Sequence, residues 1–389
     1  MAQARLPGRN AVAVMTVSIN EERAMSTDTS VNAATADVAP GRLGNPALTL
    51  GTDPRADPRM VAVMAGFGLD AHAEGAPLSP TASREELLAF VDAVEVGFEG
   101  LFAGLAEGAP PLQGVTSEVI TLDGKDGEEI RLHVHRPEVS DGPLPCIYQV
   151  HGGGMVMLAA EGPLYRRWRE ELAAAGSLVV GVEYRNGGGV LGAHPFPAGL
   201  EDCATGLRWV AAHLDELGAS NVVVTGDSGG ANLALALAIK AKREGWVGEI
   251  SGVFAQCPYI LGSWTDAPAE LPSLRENDQY WLNRSLFPLL SEVYDPGAAN
   301  AADPTCWPYR ATTVDLEGLP PHVISVNELD PLRDEGLAYH RLLLAAGVSS
   351  VGRLNLGLCH VGEILFRTAM PDVYAAAVRD VTGFARSLT

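Results

Sequence analysis

The sequence predicts an α/β protein, with a mostly parallel central sheet, helices on both of its faces and a helical cap. Three observations carry that expectation. From Val115 onward, β-branched runs alternate with helical patterns, as in a parallel sheet covered on two sides. The stretch Asn221 to Gly245 compresses a buried strand, a glycine-rich turn and an apolar helix into one unit. Ahead of both, an amphipathic helix closes before Pro110-Pro111 with no strand to join, which marks a separate layer.

Residues 1 to 45 are rich in Ala, Thr, Ser, Asp and Gly without periodicity, and a flexible arm is expected there, with Met25 as an alternative start. Ala11 to Ile19 follows Arg5 and Arg9 as a signal core would. It lacks a clear small-residue cleavage site and runs into Asn20-Glu21-Glu22-Arg23, so a cytoplasmic location is expected. Residues 46–110 are assigned to the cap and 111–389 to the main domain. In the cap a short helix is expected from Asp57 to Gly68, then a stronger one opened by Ser83 and Glu86 as a capping box. Its stripe of Leu87, Val91, Val94, Phe98, Leu101, Phe102 and Leu105 contributes about 10 kcal/mol if buried, before entropy is subtracted.

Val115 to Leu122 and Glu129 to Arg136 form a predicted hairpin around Asp123-Gly124 and Asp126-Gly127. A strand over Cys146 to Val150 runs into His151-Gly152-Gly153-Gly154. A helix (Leu164 to Ala175), a strand (Ser177 to Tyr184) and a helix (Ala198 to Leu217) precede the central unit. After it come strands at Ser251 to Tyr259 and His322 to Leu329, a helix at Glu335 to Ala346, a strand at Val351 to Leu356 and a last helix from Asp372. The interval 261–321 interrupts this order. It carries a helical stretch near Asn277 to Val293 and the aromatics Trp264, Tyr280, Trp281 and Phe287, and is expected to add a second piece of lid.

The chemistry centres on Gly226-Asp227-Ser228-Gly229-Gly230, a G-x-S-x-G match between strand and helix. The pattern alone is weak, because a chain this rich in glycine would hold roughly 0.2 such matches by chance. Its setting strengthens it, since a sharp strand-to-helix turn exposes the serine and the helix N-terminus offers positive potential beneath it. A serine nucleophile needs a base and an acid, which in such sheets follow in the order Ser, Asp or Glu, His. His360, just past the last strand, fits the base; His340 lies inside a helix. Asp330, ending a strand before Pro331, fits the acid, with Glu328 and Asp334 as rivals, Asp334 being well placed as a helix N-cap. HGGG arises by chance about once in a hundred such chains, and its glycines allow backbone N–H groups to turn toward a substrate oxygen. His133 and His135 alternate on a strand without a third ligand at suitable spacing and read as a polar strand face. Gly187-Gly188-Gly189 lacks a phosphate-loop lysine and reads as a plain loop.

His151-Gly-Gly-Gly, Gly226-Asp-Ser-Gly-Gly, Asp330-Pro-Leu-Arg-Asp and His360 together resemble the bacterial hormone-sensitive-lipase family of α/β-hydrolase carboxylesterases. HGGGM at 151–155, RRW at 166–168, HPFP at 194–197, LPSL at 271–274, END at 276–278 and NELDPLRDEG at 327–336 are similar to its brefeldin A esterase branch. The resemblance runs from about residue 41 to the end. It implies an α/β-hydrolase fold with an N-terminal helical cap, no cofactor, Ser228, Asp330 and His360 as nucleophile, acid and base, and an oxyanion hole of the Gly153, Gly154 and Gly229 N–H groups. The chain departs from the family pattern at Gly229, where alanine is frequent, at Met155, where an aromatic is frequent, and in lacking a leucine-alanine-proline-glutamate box after Tyr184-Arg185. These departures bear on pocket shape and substrate.

The function expected is hydrolysis of small to medium carboxylic esters through an acyl-enzyme. The alternatives are a lactone hydrolase, an acyltransferase and a non-catalytic receptor, the last disfavoured by a complete Ser, Asp and His set. A formal charge of -21 argues against nucleic acid or anionic membrane partners. Five scattered cysteines without C-x-x-C spacing suggest a reduced compartment and no metal site. The expected partner is a small-molecule ester or lactone, with a homodimer left open.

Overall fold

The computed structural model describes residues 45–108, 110–265 and 268–389. The N-terminal arm, the signal-like run and Met25 therefore lie outside the described residues. Eight strands form one sheet: β1 (Val115–Asp123), β2 (Glu129–Pro137), β3 (Leu144–Val150), β4 (Leu178–Glu183), β5 (Ala219–Asp227), β6 (Gly252–Gln256), β7 (His322–Asn327) and β8 (Ser350–Asn355). Their order is β1-β2-β4-β3-β5-β6-β7-β8. The first two strands make the antiparallel hairpin, β2 runs antiparallel to β4, and the remaining pairs are parallel.

The central strands are buried on both faces, which is why they read as continuous valine-rich runs rather than alternating ones. The Gly229–Glu244 helix crosses the sheet centre with twelve buried residues, most of them Ala and Leu, small enough to let it press close. It ends at Gly245 in the left-handed conformation, after Lys242 and Arg243 in its last turn. On the opposite face the Pro163–Ala174 and Pro371–Arg386 helices cover Ile147, Val179, Val223 and Phe254.

The capping box at Ser83 and Glu86 is present and opens the Arg84–Ala106 helix. Residues 45–83 interlock with the 261–321 interval: Ala73 N–H donates to Gln279 O at 3.0 Å and Asn283 Nδ2 to Ala73 O at 3.0 Å. Tyr280 Oη donates to Asp53 at 2.8 Å.

Several elements differ from expectation. The helix expected to run to Leu217 breaks at His213, whose ring stacks on Trp209 and whose Nδ1 bonds the Trp209 carbonyl. The β6 strand stops at Gln256, because Cys257 turns left-handed at φ 45°. In the 277–293 stretch only Leu286–Tyr294 is helical, since Gln279 and Trp281 take φ values of 69° and 64°. His133 and His135 are 4 % and 3 % exposed, so they face a covered surface rather than solvent. His133 pairs with Glu161 at 3.0 Å and His135 with Ser117 at 2.8 Å.

Candidate active site

Ser228 stands between β5 and the helix that follows, at φ 53° and ψ −118°. A non-glycine residue adopts such a conformation at a cost of about 1–3 kcal/mol, so its surroundings must enforce it. They do: its N–H donates to Gln256 O at 2.9 Å, and its carbonyl accepts from Asn232 N at 3.1 Å and Tyr259 N at 3.2 Å. The strand end, the β6 exit and the helix start thus clamp one peptide. The Ser228 side chain lines an apolar cavity of about 70 Å³ together with Gly153, Gly154 and His360.

Strand β3 lies beside β5 with Val150 opposite Gly226, so the His151–Gly154 turn leaves the sheet next to the serine turn. Gly153 sits at φ 103°, where a Cβ would also run into the Met157 carbonyl. A Cβ on Gly229 would come within 2.6 Å of the Gly154 and Met155 nitrogens, so the two turns touch backbone to backbone. Gly229 opens its helix, where an N–H has no intrahelical acceptor. The turn is rooted by Tyr184 Oη donating to His151 O at 2.9 Å, with the two rings stacked at 4.2 Å.

His360 follows β8 on a turn held from several sides. Asn327 Nδ2 donates to Cys359 O at 2.7 Å, and the Cys359 N–H reaches Met60 Sδ at 3.3 Å. Its Nδ1 lies 2.7 Å from Asp330 Oδ2, and both residues are buried. An ionised carboxylate only accepts, so Nδ1 carries the proton and Nε2 is left as the basic nitrogen. Burial lowers the pKa of His360, but the Asp330 charge and hydrogen bond, with Asp227 and Glu363, outweigh it and hold the ring above its ordinary value. Asp330 is fixed by the Leu332 N–H on Oδ1 at 2.9 Å and by Asn277 Nδ2 on its carbonyl at 3.0 Å.

The rival acids are engaged elsewhere. Glu328 accepts from Gly357 N–H at 2.9 Å. Asp334 is not the N-cap, a position held by Leu332; it accepts from Ser273 N–H at 2.7 Å and pairs with Arg333, tying the 261–321 interval down. His340 bonds Ser350 at 2.8 Å, away from the cavity. Of the four aromatics singled out in the interval, Trp281 and Phe287 line the cavity, while Trp264 stacks on Tyr259 behind it and Tyr280 serves Asp53. Phe98 and Phe102 of the Arg84–Ala106 helix also line the cavity.

Sequence reasoning missed three contributors. Asp227, inside the G-x-S-x-G match itself, is pushed up to about 7 by burial and accepts from Tyr165 Oη at 3.1 Å, which in turn accepts from Gly152 N–H at 3.0 Å. Glu363 accepts from Asn327 and Gln256 and braces the His360 turn, and nothing in its spacing marks it. Cys257 lies against Asp330 and His360. With Asp330 and His360 it makes the one set of possible metal-ligand atoms among the described residues, but there the Asp–His hydrogen bond already engages both partners. All five cysteines are buried and unpaired. No helix of the described residues is long and apolar enough to cross a membrane.

Comparison with known proteins places this chain in a family. Residues 147–362 match a family model described as the alpha/beta hydrolase fold. The chain is 45 % identical to a solved structure titled brefeldin A esterase, a bacterial homologue of human hormone-sensitive lipase, over 89 % of this chain and 97 % of that one, with a TM-score of 0.85. It is 38 % identical to esterase Est22 over 87 % and 99 % of the two chains, with a TM-score of 0.78. The carboxylesterase NlhH of Mycobacterium tuberculosis is 35 % identical over 273 residues, covering 68 % of this chain and 81 % of NlhH. The chain belongs to the α/β-hydrolase fold family, on the branch of bacterial homologues of hormone-sensitive lipase.

Proposed function

We propose that the protein is a serine carboxylesterase. The observation that carries this is the 2.7 Å His360–Asp330 hydrogen bond in the same cavity as a serine held in a strained strand-to-helix turn. His360 Nε2 takes the Ser228 proton as Oγ attacks the ester carbonyl, and Asp330 holds the ring in the required tautomer and offsets the imidazolium charge. The oxyanion is met by the N–H groups of Gly153, Gly154 and Gly229, worth about 3–4 kcal/mol per donor in related chemistry. His360 then gives its proton to the leaving alcohol, and a water activated by the same ring hydrolyses the acyl-enzyme. No metal or organic cofactor takes part in this scheme.

Residues 46–110 act as a cap over the catalytic domain of 111–389, with 261–321 as a second lid segment; the cavity contacts of Phe98, Phe102, Trp281 and Phe287 support that division. The apolar lining favours small to medium neutral esters. A lactone substrate is the second reading, supported by the 45 % identity to brefeldin A esterase. The outer edge of β8, with Val351 and Leu354 on it and Leu356 just past it exposed, is the surface a homodimer would use. A panel of nitrophenyl esters of rising chain length, run beside lactones on wild type and Ser228→Ala, tests the proposal. Hydrolysis that is lost in Ser228→Ala is expected. A folded Ser228→Ala protein with wild-type turnover would overturn it.

A further inference from the structure

The Arg84–Ala106 helix carries one buried charge on the side it turns to the main domain. Glu95 is 5 % exposed, on the face shared with Val91, Val94 and Phe102. A carboxylate there needs a reason, since burying it costs several kcal/mol unless its oxygens are satisfied. They are satisfied by main chain alone. Oε1 accepts from the Leu158 N–H at 2.6 Å and Oε2 from the Val190 N–H at 2.8 Å.

Leu158 belongs to the turn beside the serine, and Val190 to the loop that backs that turn. Leu158 ends the turn that begins at Gly153; Met157 N–H returns to Gly153 O at 3.1 Å, so the turn moves as one piece. Leu158 is itself left-handed at φ 73°, and its carbonyl accepts from Asn186 Nδ2 at 2.6 Å. Val190 lies on the loop that begins with Asn186-Gly187-Gly188-Gly189. In that loop Gly187 N–H donates to Met155 O at 2.9 Å and Gly188 N–H to Val156 O at 3.0 Å. The triple glycine therefore acts as a bare backbone splint along the Gly153–Leu158 turn, and Glu95 grips the splint and the turn together.

We infer that Glu95 is a positioning residue through which the N-terminal helix holds the oxyanion turn, so that the turn keeps its catalytic shape only while that helix is docked. The inference rests on the proposed role of the Gly153 and Gly154 N–H groups. A charge-assisted bond to each of two loops makes the link directional. Slack of a fraction of an ångström in the turn weakens contacts to the oxyanion more than contacts to the ground-state ester. Loss of Glu95 therefore falls on kcat.

The test compares wild type, Glu95→Gln and Glu95→Ala with nitrophenyl butyrate, and measures inhibition by phenylboronic acid, a tetrahedral mimic formed on the serine. Glu95→Ala is expected to lower kcat about 10- to 100-fold with KM changed less than about threefold, and to weaken phenylboronic acid in proportion to kcat/KM. Glu95→Gln keeps one acceptor and is expected to fall between the two. Melting temperatures of all three report folding separately. Folded variants with unchanged kcat and unchanged boronate affinity would overturn the inference, as would a loss in KM alone. Ser228→Ala, run alongside, separates the two readings: its retained activity would sink the serine mechanism itself, whatever Glu95 does.

Discussion

At the scale of single residues, the consequences follow from half-buried Ser228 and from buried His360 and Asp330. On the proposed triad, Ser228→Ala or His360→Ala should lower kcat by about 10⁴- to 10⁶-fold, because coupled members fail together. Asp330→Asn should cost about 10⁴-fold, and Asp334→Asn far less for chemistry, since its carboxylate serves Ser273 and Arg333. Steady-state kinetics on folded variants decides this; a more damaging Asp334→Asn would mean that Asp330 is not the acid. Because His360 is held above its ordinary value by Asp330, the active neutral form appears later as pH rises. The acid limb of kcat/KM should therefore lie above about 6.5 and move down in Asp330→Asn, as a pH–rate profile would report. Ser228, Asp330 and His360 could be proposed from the sequence because chain order and strand ends leave few candidates. Glu363 and Glu95 were not, since each acts through backbone groups distant in sequence that only the fold brings near.

At the scale of elements, the sheet and most helices could be read from periodicity, because strands buried on both faces and capped amphipathic helices leave local marks. The 277–285 stretch could not. Its shape comes from Asn277 bonding Glu328 O and Asp330 O and from the pairing of residue 73 with 279, which no local pattern encodes. The same reasoning sets the fate of a truncated chain. Residues 50–66 press on the His360 turn: Asp57 N–H donates to Gly357 O at 3.0 Å, and Met60 lies under Cys359. Removing residues 1–108 should give an aggregating protein, or a soluble one with greatly weakened KM and lower kcat. A soluble 109–389 fragment with unaltered kinetics would show that these elements neither cover nor brace the site.

At the scale of the whole molecule, the formal charge of -21 surrounds an apolar cavity with the acid Asp227 in its lining. An anionic ester must approach through that field and then desolvate. Nitrophenyl esters should therefore be cleaved faster than hemisuccinate esters of equal length, and the gap should narrow as salt rises. Equal kcat/KM values at low ionic strength would show that the surface charge does not reach the site. Val150 pairs with Gly226, so the proposed nucleophile turn and the proposed oxyanion turn leave the sheet from neighbouring strands, about 4.8 Å apart. That interval is a property of backbone hydrogen bonding and is indifferent to side chains. The chemistry is in this sense bolted to a ruler, while everything that chooses the substrate hangs from segments outside the sheet. Redesigning Trp281, Phe287 or Phe98 for a larger acyl group can proceed without moving the ruler, whereas adding one residue to β3 would rotate the turn to the wrong face and silence the enzyme for every substrate alike.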